Sequence, residues 1–378
     1  MWATFATALV IAIGYGVISA SGAAHGKAAS RATTTGFGAD GRSLGATGGS
    51  ATAVRPAVTT YPDGSVRSVY RLPDGEVITS TTPPRGFDPL HASNAQLKRY
   101  GFPLRPGSDG SQSDLADWRA AMTAYRSDSP PSGPLKAVPG SGSRVGSAAS
   151  FATEYSNWGG YIVGKTGTQS NTYVAVTNDF TVPSTSNTCM GSNLVGMWTG
   201  LGGTSSNPDN LVQQGIECGD SAVGSGSAFR PFTEFANTAN PVALCGQTSW
   251  TFPAGHLLYE QMSYEASNKI ANFYIEDETS GVAHGCSAAP PSGWSYDDNT
   301  AEWIGEAPSG TAVHFSNVNF TNAQAELDSN GSWVTFGSQG TITKTIAGAS
   351  SSTYCISPGS IGSDKDSFTD SWHQATCY

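Results

Sequence analysis

From Phe151 onward, hydrophobic residues recur every second position and turn formers interrupt them at short intervals, which restricts this part of the chain to strands. In TYVAVTNDFTVP (172–183), Val174, Val176, Phe180 and Val182 fall on one face, and Thr177, Asp179 and Thr181 on the other. In KIANFYIED (269–277), Ala271, Phe273 and Ile275 alternate with Asn272, Tyr274 and Glu276. Similar runs predict strands at 194–201, 211–217, 229–236, 247–252, 258–266, 301–306, 311–320, 332–337 and 341–346. No amphipathic helix interrupts them. The fold class expected for 151–378 is therefore all-β, an antiparallel β-sandwich of the concanavalin-like or jelly-roll-like kind.

The first 150 residues read differently. Trp2 to Ala20 carry no charge and small residues follow, the pattern of a secretory signal peptide over residues 1–24, with Lys27 as the first charged side chain. Residues 27–60 are rich in Ala, Gly, Ser and Thr, a composition that predicts disorder. SVYRL, the turn Pro73-Asp74-Gly75 and EVITSTT form a predicted hairpin within 61–85. Leu97, Tyr100, Leu115, Trp118, Met122 and Tyr125 have helical spacing, split into two pieces by Pro103 and Pro106. Gly, Pro and Ser dominate 127–150, a linker by composition. Residues 25–150 thus form a small α+β segment ahead of the sandwich.

Charge divides along the same line. Residues 1–150 hold 14 Lys and Arg against 9 Asp and Glu, whereas residues 151–378 hold 5 against 20. A domain that acidic would repel phosphates, which excludes nucleic acid as a partner, and it suits work at low pH, where carboxylates lose their charge. A basic segment ahead of an acidic domain predicts electrostatic docking at neutral pH and release in acid. All six cysteines (Cys189, Cys218, Cys245, Cys286, Cys355, Cys377) follow residue 150. An even set behind a signal peptide implies three disulfides and a secreted, extracellular protein. Pairing of sequence neighbours gives Cys218–Cys245 and Cys355–Cys377, leaving Cys189–Cys286. No C-x-x-C or His-x-x-x-His spacing occurs, so no metal and no cofactor is expected.

Elimination narrows the chemistry. D-[ST]-G and H-E-x-x-H are absent, and the one G-x-S-x-G, GRSLG at 41–45, lacks the strand-turn-helix context its chemistry needs. Gln213 in NLVQQGIE and Glu302 in TAEWIGEAP remain, each a polar side chain in an apolar strand-like run. A polar group on a half-buried sheet costs free energy unless something pairs with it or uses it.

Several motifs, in order over 155–326, resemble the glutamic peptidases (the eqolisin family). SNWGGYIV (156–163) is similar to the start of the family's mature chain, and FTVPS (180–184) follows. MWTGLGG (197–203) resembles its W-x-G-[IL]-x-G strand. LVQQGIE resembles the run with the catalytic glutamine and AEWIGE the run with the catalytic glutamate. FRPFTEF (229–235) stands where the family has W-Y-E-W-Y, and HFSNVNFTNAQA (314–325) resembles a later strand.

The resemblance implies a secreted acid endopeptidase, made as a proenzyme and insensitive to pepstatin. Glu302 is then the general acid/base and Gln213 the oxyanion donor, with Gln214 as the alternative if the register is one residue off. Trp158, Trp198, Glu234 and Phe235 are the implied substrate-binding residues. Polypeptides are the implied substrates, and residues 25–150 an intramolecular inhibitor of a monomeric enzyme that is not membrane-bound after signal cleavage. Two other classes fit the same residues: a carbohydrate-binding sandwich using Trp158, Trp198, Trp250 and Trp294, and a glycosidase pairing Glu302 with Glu234 or Glu217.

Overall fold

The computed structural model describes residues 52–377, apart from 108–111, 132, 138–153, 165–171, 187–188, 190–192, 204–209, 220–222, 224–225, 237–240, 297–298, 309, 328–331, 340 and 349–352. The apolar N-terminal run, GRSLG and most of the linker lie outside the described residues.

The N-terminal segment contributes β1 (Thr52–Val54), β2 (Ala57–Thr60), β3 (Val66–Arg71), β4 (Val77–Thr82), α1 (Asn94–Arg99), α2 (Gln112–Ala124) and β5 (Leu135–Ala137). The described residues 52–60 are thus strands rather than the disordered stretch their composition suggests, because β2 pairs with β3 and β1 with β5. Ser93 begins α1 with a capping box: its Oγ accepts from the Gln96 amide, and its own amide donates to Gln96 Oε1 at 3.0 Å.

The acidic part supplies β6 (Glu154–Ser156), β7 (Trp158–Gly164), β8 (Tyr173–Thr181), β9 (Val195–Leu201), β10 (Val212–Cys218), β11 (Arg230–Phe235) and β12 (Val242–Ala243). It continues with β13 (Leu257–Glu265), β14 (Ile270–Asp277), β15 (Val282–Ala289), β16 (Thr300–Glu306) and β17 (Val318–Leu327). β18 (Ser332–Thr335), β19 (Thr341–Gly348), β20 (Tyr354–Pro358) and β21 (Phe368–Trp372) complete it. Two expected strands differ. Residues 247–252 follow a tight turn at Leu244–Gly246 and contribute a single bridge, Phe252 to Phe229. The strand expected over 311–320 begins at Val318 and runs on past a bulge, where Asn322 takes a φ of 50°.

Successive antiparallel pairings form one open sheet folded on itself. The first layer is ordered β12-β11-β10-β9-β16-β7-β19. β20 and β21 lead to the second, β17-β8-β13-β14-β15-β4-β3-β2. Phe180, Phe320, Phe336 and Trp303 pack between the layers, and the Trp303 indole N–H donates to Thr177 O at 3.0 Å. The disulfides are Cys189–Cys218, Cys245–Cys286 and Cys355–Cys377. Only the last matches the neighbour pairing. Cys218 ends β10 beside Val195 of β9, so the residues just before β9 reach it first, and β15 brings Cys286 to Cys245.

The helices change how the second layer reads. Leu97, Tyr100, Phe102, Trp118 and Met122 pack against Tyr259, Tyr274 and Ala283, so the face of β14 that carries Tyr274 is covered. Lys98 and Glu265 form an ion pair at 2.8 Å between the segment and the acidic part. In a further crossing pair, His284 with Asp128 at 2.5 Å, the segment supplies the acid. Apolar packing and strand pairing also join the segment to the acidic part.

Candidate active site

Gln213 stands opposite Gly200, and Gly200 stands opposite Glu302. The same row continues to Glu234 on one side of Gln213 and to Ile162 and Thr343 beyond Glu302. Directly opposed residues of an antiparallel sheet project to the same face, so Glu234, Gln213 and Glu302 share one. With adjacent strands about 4.8 Å apart, the Gln213 and Glu302 backbones stand roughly 10 Å apart. The residue between them has no side chain. A Cβ on Gly200 would come within 2.8 Å of Leu211 Cδ1 and 3.0 Å of the Trp198 ring.

Gln213 Nε2 donates to Glu234 Oε2 at 2.6 Å. That bond fixes the amide's orientation and leaves the second Nε2 hydrogen for another acceptor. Glu302 is fully buried, and its backbone carbonyl accepts from Thr199 Oγ1 at 3.0 Å. The Tyr173 phenol is pushed up to about 12, chiefly by burial and further by the charge of Glu302.

Two residues along the strands, Trp198 lies on the same face as this row, and two further on Glu306, Glu217 and Trp158 join it. The Trp158 and Trp198 rings meet edge to face at 5.0 Å. Glu306 accepts from Trp198 Nε1 at 2.8 Å and from Asn157 Nδ2 at 2.6 Å. Motif reading passed over Glu306 and Gly200. Even spacing from Glu302 on a strand was the available signal for the first, and the glycine of the W-x-G motif for the second.

Gln214 faces the other way. Its Nε2 donates to Tyr274 O at 3.0 Å and its Oε1 accepts from the Tyr274 amide at 3.1 Å, tying the two layers together. Of the two neighbouring glutamines, Gln213 is the one that shares a face with Glu302. Phe235 is a correction. It pairs with Val212 in the interlayer rows, and its ring packs on Trp294 at 4.9 Å and Phe273 at 6.3 Å. As the neighbour of Glu234 on a strand it must point away from it.

A model of the peptidase A4 family matches residues 156–365, more than half of the chain. The chain belongs to the peptidase A4 family. This is the glutamic peptidase family that the ordered motifs resemble, and as its member the chain is a glutamic-type endopeptidase. A crystal structure of scytalido-glutamic peptidase with a transition state analog inhibitor is similar at 19% identity and TM-score 0.45, covering 58% of this chain and 98% of that one. SCP-B, an eqolisin-family peptidase in complex with the tripeptide Ala-Ile-His, is similar at 19% identity and TM-score 0.42 over the same shares. Among curated proteins, none matches the chain.

Proposed function

We propose that this peptidase is a secreted, acid-active endopeptidase that cleaves polypeptides with Glu302 and Gln213 as its catalytic pair. The observation that carries the reading is the row Gln213–Gly200–Glu302, which sets an amide and a carboxyl on one face with a residue that has no side chain between them.

Peptide hydrolysis needs a base for the water, a donor for the developing oxyanion and an acid for the leaving amine. Ionised Glu302 takes a proton from a water held between it and Gln213 as that water attacks the carbonyl carbon. The carbonyl oxygen gains negative charge and accepts from the Gln213 Nε2 hydrogen not held by Glu234. Protonated Glu302 then delivers its proton to the amide nitrogen as the C–N bond breaks. One carboxyl serves as base and then as acid, so turnover peaks in the acid range, where a Glu changes protonation state. Glu234 positions Gln213, while Trp158 and Trp198 form an aromatic wall for substrate side chains beside the pair.

The uncharged Trp2–Ala20 run supports secretion, and the two-part charge distribution and linker composition support synthesis as a proenzyme. Residues 25–150 act as a pro-segment that keeps the monomeric enzyme inactive until the linker is cut. In support, the turn before β4 buries Glu76, whose carboxyl is held well above its ordinary range by burial first and then by the charges of Asp74 and Glu234.

The test is digestion of a denatured protein at about pH 3–4, where an ordinary Glu titrates, with and without pepstatin. Cleavage that persists with pepstatin is expected. Failure of the linker-cleaved protein to cut the substrate under any acid condition would refute the reading.

A further inference from the structure

We infer that the outer face of β13–β15 is a permanent seat for residues 57–130 of the same chain, so that cutting the linker leaves a two-chain protein instead of releasing the segment. The inference rests on the packing of the segment and not on the catalytic reading.

Four observations carry it. First, the segment completes a sheet. β4 pairs with β15 from Val77↔Ala289 to Ser80↔Cys286, and β3 and β2 extend the layer beyond it. Without β4, that edge of β15 would present a row of unpaired amides and carbonyls. Second, segment side chains are core residues. Tyr70, Leu72 and Ile78 are at most 6% exposed within the main hydrophobic cluster, and the Tyr70 ring lies so close to Gly246 that a Cβ there would come within 2.5 Å of it.

Third, backbone meets backbone. A Cβ on Gly101 of the segment would fall 2.6 Å from the Gly285 carbonyl carbon, and a Cβ on Gly285 would fall 2.1 Å from Gly101 O. Two glycines facing each other allow an approach that any other residue would block. Fourth, the seat carries buried polar partners supplied by the segment. Asp128 and His284 pair with each side chain 3% exposed, and Gln247 Nε2 donates to Ser129 O at 3.0 Å. Removal of the segment would take the Asp128 carboxylate from buried His284 and expose Tyr259 and Tyr274, which favours retention.

The experiment uses the full chain with a recognition sequence for a site-specific protease inserted between residues 142 and 146, in a Glu302→Gln background. After cutting, the protein is passed over a sizing column at about pH 4, the range in which a Glu titrates, and the peak is resolved on a denaturing gel. Both fragments are expected in one peak at the mass of the uncut chain, melting in a single transition. Elution of the N-terminal fragment apart from the rest, whether the remainder stays folded or precipitates, would overturn the inference. In the same format Gly101→Val should loosen the seat, since it adds a branched side chain at a φ of 75° against the Gly285 backbone. Retention of the cut fragment by this variant as firmly as by the parent would show that the seat lies elsewhere. These readouts are masses and melting curves, so they stand apart from whether the protein cleaves peptides.

Discussion

Glu276→Gln isolates one reason why this fold should be most stable in acid. Glu276 lies on β14 under the helices, fully buried, with Oε2 accepting from the Tyr274 hydroxyl at 2.7 Å. Its carboxyl is pushed up to about 8, mainly by burial and further by the charges of Glu278 and Asp277, against the opposing Tyr274 bond and Arg126 charge. The folded chain therefore keeps this proton over a range in which the unfolded chain, at an ordinary 4.5, has lost it. Stability from this group is fully present below about 4.5, falls as pH rises to about 8, and is flat above that. At about 1.4 kcal/mol per tenfold in proton affinity, the loss has a ceiling of about 5 kcal/mol. Glutamine has nearly the same shape and no charge to gain. The variant should melt within a degree or two of the parent at about pH 4, and above it by roughly 5–15 °C at about pH 8 if ~2–4 kcal/mol is recovered. The assay is thermal unfolding at closely spaced pH values, read as the difference between the two proteins. A difference that stays constant from pH 4 to pH 8 would refute the argument, because burial of Glu276 would then carry no proton linkage. Asp179, also raised to about 8 by burial, makes the parent itself lose stability in the same direction.

Two further substitutions separate the site from the scaffold. Gly200→Val places branched carbons against Leu211 and the Trp198 ring, between Gln213 and Glu302. It should cost about 1–3 kcal/mol in chemical denaturation, as overpacking does, and abolish peptide cleavage by the protein that remains folded. Gln214→Ala removes both bonds to the Tyr274 backbone and leaves a buried amide and carbonyl unpaired, a loss of roughly 2–5 kcal/mol. Its folded fraction should nevertheless turn over substrate like the parent, measured as kcat per mole of folded enzyme.

Much of the first layer was legible because its chemistry follows strand parity. Gln213 and Glu302 stand in short apolar runs, and a period of two fixes which neighbours share their face. The same parity places Phe235 opposite Glu234, which an aromatic motif taken as a block overlooks. The second layer was harder to read. Tyr274 and Glu276 alternate with core residues as solvent-facing positions should, yet they are buried because a distant part of the chain lies over them. Periodicity reports how a strand divides its two faces and carries no information about what covers the second. Disulfide partners failed for a related reason: Cys245 meets Cys286 through the folding of one layer over the other, not through nearness in sequence. Charge differs between the two halves of the sequence, yet the contacts between them include Leu97, Trp118, Tyr259 and paired strands, which net charge does not report.

The most direct measurement of the central claim is turnover of a denatured protein substrate at about pH 4, near the ordinary Glu value, by the parent, Glu302→Gln and Gln213→Ala, each first shown to melt like the parent. Glu302→Gln keeps the shape of the side chain but cannot move a proton, so its turnover should fall to background. Gln213→Ala should lose about a hundred- to thousand-fold in kcat, the size of one oxyanion donor. Parent-like turnover by folded Glu302→Gln would remove Glu302 from the chemistry and contradict the account.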